Sequence, residues 1–250
     1  QPGRRPFMYL AALHQNSTDW LEIWKKNNAD FPSDESRRNM PLKNPVLWLD
    51  INTPVLQNPK ENWLKNALET SEYQLLSASK AWKDSLKTPR TFENGKILLV
   101  NEKDWTCGFF PGSLWYMYEI TGNEDFRTEA ERFTGFLSKV QYRTNTHDVG
   151  FMLQCSYGNG FRITGNEAYK QVLMTGATNL LNRFHPETGL IKSWDGRKNW
   201  QYPVIIDNMM NLELLYETGK LTDNKKMLAA TVSHADKTIE NHFRPDFSCY

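Results

Sequence analysis

The chain reads as an all-α protein whose helices pair into an inner and an outer layer, arranged as a toroid. Three observations carry that expectation. A unit recurs: Tyr118-Glu119-Ile120-Thr121-Gly122-Asn123-Glu124-Asp125-Phe126 is echoed by Phe161-Arg162-Ile163-Thr164-Gly165-Asn166-Glu167-Ala168-Tyr169, with a weaker third copy at Tyr216-Glu217-Thr218-Gly219. The glycines of the three copies stand 43 and then 54 residues apart, which suits one helix pair per repeat. Before each glycine lies a short apolar helical segment and after it a longer charged one, the pattern of two packed layers. Strand signals are confined to Lys96-Ile97-Leu98-Leu99-Val100, read as one arm of a short hairpin.

Residues 1–56 carry prolines at 2, 6, 32, 41, 45 and 54 and give no regular element. They are read as an irregular lead, with residues 57–250 as the helical part. From about residue 59 the period becomes helical. Trp63, Ala67, Leu68, Leu75 and Leu76 share one face of a helix running to about Lys83. The apolar inner helices are expected at Pro111–Ile120, Val149–Ile163 and Val204–Glu217. The charged outer ones are expected at Glu124–Tyr142, Glu167–Phe184 and Asn224–Phe243. Each inner helix should end at its glycine in the left-handed cap. Asn123 and Asn166, and Thr222 or Asp223 in the third copy, should cap the helix that follows.

Bulk properties exclude several classes of function. Of 250 residues, 39% are hydrophobic and 24% charged, enough for one domain with a sizeable core. Thirty basic against 29 acidic residues leave a formal charge of +1, and no Lys/Arg stripe invites nucleic acid. No apolar run approaches the roughly 20 residues that span a bilayer, so no membrane partner is expected. Cys107, Cys155 and Cys249 are odd in number and lack metal-ligand spacing, which argues against a disulfide framework. Met8–Leu13, following Arg4-Arg5, is read as local packing rather than a signal remnant. The long lead and the absence of an initiator Met point to a processed, exported, periplasmic protein, with the cytoplasm as the alternative. Oligomeric state has no sequence signal.

Two aspartates 59 residues apart attract attention as chemistry. Asp148 lies in Thr146-His147-Asp148-Val149-Gly150-Phe151 and Asp207 in Val204-Ile205-Ile206-Asp207-Asn208-Met209-Met210-Asn211. A carboxyl group among hydrocarbon loses hydration, which raises its pKa. It then needs a hydrogen-bonding partner, or serves as an acid still protonated near neutrality. Asp207 has the more apolar neighbours, and Asp148, beside His147, should ionise more readily. Polar residues of the inner segments (Asp148, Gln154, Ser156, Asp207, Asn208, Asn211) need surroundings that are not hydrocarbon. A central pocket rimmed by inner-helix N-termini provides them, and for that reason the toroid is favoured over an open solenoid.

Five segments stand at or before inner-helix starts: Asp104–Gly112, His147–Phe151, Ile191–Gly196, Trp200–Pro203 and the stretch around Asp207. Each has a plainer reading. Asp148 can be a simple N-cap, Asp207 a core acid satisfied by Asn211, Trp105 and Trp194 core fillers, and His147 a structural histidine. No cluster has metal-ligand spacing, no loop has the form of a phosphate cradle, and no Gly-x-Ser-x-Gly is present.

In order and spacing these segments resemble glycoside hydrolase family 88, the unsaturated glucuronyl hydrolases. The matching stretches are Asp104-Trp105-Thr106 with Gly108–Trp115, Tyr118-Glu119 with Thr121-Gly122, His147–Phe151, Gly189–Trp194 and Ile205–Leu212. The resemblance covers roughly residues 60–250 and implies an (α/α)6 barrel, here cut short after about seven helices where the family has twelve. It implies removal of a 4,5-unsaturated uronic acid from the non-reducing end of lyase-made, glycosaminoglycan-type oligosaccharides, by hydration of the C4=C5 enol ether. By the same resemblance Asp207 is the general acid and water-activating base, and Asp148 its partner. Trp105, His147, Trp194 and Asn208 become substrate-binding residues, and no metal or organic cofactor is implied. Rhamnogalacturonyl hydrolases share the fold but carry a different signature in place of His147–Phe151, and rank second. A non-catalytic helical-repeat module that binds glycan or protein is the alternative from another class.

Overall fold

The computed structural model describes residues 63–82, 85–93, 96–196 and 199–250, without the side chains of Trp63 and Asn66. The expectations for residues 1–56, and for the boundary at 56/57, lie outside the described residues. Ser71–Arg244 with Ser248–Tyr250 form one compact unit, and the described residues up to Thr70 fall in another together with Pro245–Phe247. Both aspartates lie in the first unit.

A helix, α1 (Trp63–Ala81), leads into an antiparallel hairpin of β1 (Thr88–Glu93) and β2 (Lys96–Val100), with a register shift between Pro89 and Thr91. After a 3-10 turn at Trp105–Gly108 come α2 (Phe109–Thr121), α3 (Glu124–Gly135) and a second 3-10 turn at Ser138–Tyr142. Next are α4 (Val149–Leu153), a π-helical turn (Gln154–Gly158), α5 (Asn159–Thr164) and α6 (Glu167–Leu181). A two-residue hairpin of β3 (Phe184–His185) and β4 (Leu190–Ile191) precedes α7 (Asn208–Leu221) and α8 (Lys225–His242). Helices α2, α4–α5 and α7 are the inner helices of the sequence reading, and α3, α6 and α8 the outer ones. Where one inner helix was expected at Val149–Ile163, a π turn interrupts it. Such turns insert an extra residue and cluster at functional sites.

The first two repeats have the expected chemistry. Gly122 (φ 67°) and Gly165 (φ 68°) occupy the left-handed cap, their N–H groups donating to Tyr118 O and Phe161 O at 2.8 Å. Asn123 and Asn166 then accept from Asp125 N (3.0 Å) and Ala168 N (2.9 Å). The equivalent positions Glu119 and Arg162, each three residues before its glycine, form a two-pronged ion pair at 2.6 and 2.7 Å between neighbouring inner helices.

The third repeat differs. Helix α7 starts at Asn208, later than expected, and runs through Gly219 to Leu221. Asp223 (φ 51°) takes the left-handed position, which Asp tolerates better than most residues. Asn224, not Thr222 or Asp223, caps α8 by accepting from Lys226 N and Met227 N. Gly219 serves packing instead: a Cβ there would stand 3.0 Å from the Leu228 side chain.

Two apolar clusters hold the layers together. One joins α2 to α3 through Leu114, Trp115, Phe126 and Phe133, with Trp115 Nε1 donating to Thr134 Oγ1 at 3.0 Å in the interior. The other joins α4, α6, α7 and α8 through Met152, Leu153, Leu180, Leu212, Leu215 and Met227. All three cysteines are free, and among the described residues no helix is long and apolar enough to cross a membrane.

His234, on α8, is fully buried and accepts the N–H of Ile191 on Nδ1 at 2.8 Å. Burial, helped by His147 and His242, lowers its pKa from an ordinary 6.5 to about 4. Between those values the unfolded chain binds the extra proton and the folded chain does not. Stability is therefore complete above the unfolded pKa and falls as pH drops through the folded one, by ~2 kcal/mol at pH 5 from this group. Urea melts of the wild type and of His234→Gln from pH 7.5 to 4.5 should show that loss only in the wild type.

Candidate active site

The N-terminal ends of α4 and α7 meet because Gly150 has no side chain. A Cβ at that position would lie 2.5 Å from both Cα and O of Asn211, inside any permitted contact. Gly108 does the same between the first 3-10 turn and α4, where a Cβ would fall 2.4 Å from Met152 O. The contact is locked by Asn211, whose Oδ1 accepts the N–H of Phe151 at 2.8 Å. That N–H is one of the donors left unpaired by the first turn of α4. Asn211, from another helix, therefore does the work expected of a cap.

The consequence falls on the two acids. Asp148 and Asp207 stand at the N-cap positions of α4 and α7, yet neither side chain makes a capping hydrogen bond. Both turn toward His147. Its Nε2 lies 3.1 Å from Asp148 Oδ1 and 3.6 Å from Asp207 Oδ2. Thr146 adds an Oγ1–H donated to Asp148 Oδ2 at 2.7 Å. The plain readings of Asp148 as a cap and of Asp207 as satisfied by Asn211 do not hold, since Asn211 Nδ2 reaches only the backbone O of Asp207, at 3.4 Å.

The environments drive the two carboxyl groups apart. Burial pushes Asp148 up, but hydrogen bonds from His147 and Thr146, with the Arg143 charge, outweigh it, and its pKa is lowered. Burial also pushes Asp207 up; the nearby His147 opposes and the nearby Asp148 reinforces, and the result is raised. Asp207 is nonetheless less enclosed than its apolar sequence neighbours suggest. Its side chain is 41% exposed, and Ile205, Ile206 and Met210 are themselves surface residues. One oxygen, Oδ1, is buried and without a hydrogen-bond partner among the described residues.

Of the residues expected to bind substrate, two keep an accessible face. Trp105 is 44% exposed and packs edgewise on Phe109 and in a tilted contact on Phe151, with centroids at 5.7 and 6.0 Å. Trp194 is half-buried and meets the His147 ring edge-to-face at 6.3 Å. The other two turn inward. His147 is 2% exposed, with Nε2 between the two carboxylates. Asn208 is 1% exposed, and its Nδ2 donates to Ile191 O (2.7 Å) and Ser193 Oγ (3.2 Å). It fastens the Trp194 loop to α7.

Arg183 went unnoticed in the sequence. Buried at the end of α6, its guanidinium donates to Lys192 O at 2.8 Å and to Thr144 O, and approaches Asp195 at 3.4 Å. It ties the Thr146–Asp148 loop to the Trp194 loop. Only the donor-rich fork of an arginine spans both, and a lone Arg near a helix C-terminus carries no such signal in sequence. Arg183→Ala should lower stability by about 3 kcal/mol, because buried carbonyls lose their donors; chemical denaturation measures it.

His147, Asp148 and Asp207 place three donor atoms within 4.8 Å of one another, a set able to surround a cation. It suits one poorly. Both helix N-termini present positive dipole ends to the site.

The same architecture recurs in known proteins. An unsaturated glucuronyl hydrolase of Formosa agariphila is 41% identical over 153 residues, covering 60% of this chain and 38% of the relative. A solved structure of an unsaturated glucuronyl hydrolase specific for heparin superposes with a TM-score of 0.73 at 46% identity, over 76% of this chain and 51% of that one. The chain is a homologue of unsaturated glucuronyl hydrolases. An unsaturated chondroitin disaccharide hydrolase of Streptococcus pneumoniae matches at 28% identity over 84% of the chain and 52% of its own length. The chain thus spans about half the length or less of these relatives. Its helical pairs have the α/α-barrel fold of the glucuronyl hydrolases over the matched part. No protein-family profile matches the sequence.

Proposed function

We propose that this chain carries the catalytic acids of a hydrolase that removes a 4,5-unsaturated uronic acid from the non-reducing end of lyase-made glycosaminoglycan oligosaccharides. The observation that carries the reading is the meeting of Asp148 and Asp207 at one imidazole nitrogen, with their proton affinities pushed in opposite directions. Its kinship to unsaturated glucuronyl and chondroitin disaccharide hydrolases supports the substrate class.

The chemistry follows from the protonation states. Asp207, whose proton affinity is raised, gives its proton to C4 of the enol ether, leaving positive charge shared between C5 and the ring oxygen. The carboxylate so formed takes a proton from the water that adds at C5, which restores the acid. The hemiketal then opens at its bond to the ring oxygen, leaving a ketone at C5 and a hemiacetal at C1 that releases the remaining sugar as an alcohol. Asp148, held ionised by His147 and Thr146, stabilises the cationic centre and adds to the raised proton affinity of Asp207. Trp105 and Trp194 supply faces on which sugar rings stack.

The spacing of the acids favours hydration over inverting hydrolysis. Inverting pairs stand about 6.5–9.5 Å apart to admit a water between them, whereas here the facing oxygens lie within 4.8 Å. Turnover in D2O of an unsaturated disaccharide separates hydration from direct displacement. Hydration erases the ultraviolet band of the enol ether and leaves one deuterium on C4. A released sugar that keeps both the band and its vinyl proton would overturn the mechanism.

A further inference from the structure

Among the buried polar atoms that lack partners among the described residues are Nδ1 of His147, Oδ1 of Asn208 and Nε2 of His234. Each of these side chains is at least 98% buried. All three residues are bonded to one short stretch, Ile191–Ser193. The N–H of His147 donates to Ser193 O at 2.7 Å, Asn208 Nδ2 donates to Ile191 O at 2.7 Å, and the N–H of Ile191 donates to His234 Nδ1 at 2.8 Å. Buried polar groups are rarely left unpaired, so three around one strand require an explanation.

Their hydrogen-bonding characters are fixed by the bonds already made. His234 accepts on Nδ1, so as a neutral imidazole it carries its proton on Nε2 and is a donor there. His147 faces two carboxylates with Nε2, so Nε2 carries a proton, and in the neutral ring Nδ1 is then an acceptor. Asn208 donates to a carbonyl with Nδ2, which makes its free atom the acceptor Oδ1. One donor and two acceptors are the complement of a single water molecule, which accepts one hydrogen bond and donates two. Buried waters commonly make about three such bonds to groups of this kind.

We propose that His234 is a positioning residue for the reaction: through one buried water shared with Asn208 Oδ1, its Nε2–H fixes the tautomer of His147, so that Nε2–H points at Asp148 and Asp207. The role rests on the function proposed above, but the link itself does not. With Nδ1 of His147 held as an acceptor, the imidazole presents a donor to both acids. Were the proton on Nδ1, a lone pair would face two carboxylates, and Asp148 would lose its hydrogen bond from His147. The low pKa of His234 is consistent with the role, since a neutral His234 leaves Nδ1 free to accept from Ile191. The outer helix α8 thereby acts on chemistry at the ends of α4 and α7.

The test reads the histidines directly. Nitrogen-15 spectra of the imidazoles in the 250-residue chain should show His147 protonated on Nε2 only. Its Nδ1 resonance should be displaced toward the hydrogen-bonded range. In His234→Leu that resonance should move to the position of a free unprotonated nitrogen, and kcat should fall about 10-fold with KM unchanged. His234→Gln, whose head group holds both an acceptor and a donor, should restore most of kcat. A wild-type His147 with a proton on Nδ1, alone or together with one on Nε2, overturns the proposal without any variant, even if His234→Leu fails to fold. So does an Nδ1 resonance that is the same in wild type and His234→Leu. If the chain shows no turnover on any unsaturated disaccharide, the proposed function fails while these spectra still decide the link.

Discussion

Asp207→Asn is expected to lower turnover of an unsaturated disaccharide by about 10³-fold, the scale of a lost general acid. Substrate affinity and thermal stability should stay close to wild type. The side chain is half-exposed and makes no capping bond, so the amide replaces it without loss of structure. The amide holds its protons too tightly to give one to carbon. Steady-state decay of the enol-ether band measures kcat, and calorimetric titration measures affinity. Normal turnover by the variant would remove Asp207 from the mechanism.

The same pair sets the pH dependence. The proposed mechanism needs Asp148 ionised and Asp207 protonated. Asp148 is lowered and Asp207 raised, so there is a window in which both conditions hold. The rate should decline at low pH as Asp148 takes up a proton and at high pH as Asp207 loses one. The two limbs belong to the coupled pair rather than to either group alone. Asp148→Asn removes the like charge beside Asp207, so the alkaline limb of its residual activity should move to lower pH.

Gly150→Ala is the second large expected effect, and it acts through backbone. The new methyl would sit 2.5 Å from the Cα and carbonyl oxygen of Asn211, and neither atom can swing away. The first turns of α4 and α7 must part, and the hydrogen bond from Phe151 N to Asn211 Oδ1 lengthens. We expect a loss of about 3 kcal/mol in stability, at the upper end for overpacking. Turnover should fall about 10²-fold, the penalty for displacing a reacting group by roughly an ångström. Denaturant melts and single-turnover rates test the two parts separately. A variant as stable and as active as wild type would show that the close approach at Gly150 is not needed.

Much of the fold is legible in the chain because helix termini are local chemistry. Gly122-Asn123 and Gly165-Asn166 specify a left-handed stop followed by a cap within a few residues, and they form those structures in place. The third repeat shows the limit. Gly219-Lys220 has no Asn after it, and packing of Gly219 on Leu228 carries α7 onward until Asp223 and Asn224 complete the turn. Nor does periodicity reveal the π turn at Gln154–Gly158, because its surplus residue lies in an apolar helix that reads as continuous.

The sequence by itself determined the paired helices and the hairpin at Lys96–Val100, and it singled out Asp148 and Asp207, since each depends on residue type and on neighbours a few positions away. Tertiary structure alone decided which groups those acids answer to. Asn211 takes over the capping of α4, His147 withdraws beneath both carboxylates, Asn208 becomes a fastening for the Trp194 loop, and Arg183 joins two loops from a buried position. The reason is distance along the chain: Asn211 is 60 residues from its partner Phe151, and Arg183 is 39 from Thr144. Hydrogen bonds at that separation exist only after the helices have packed, and no local pattern encodes them.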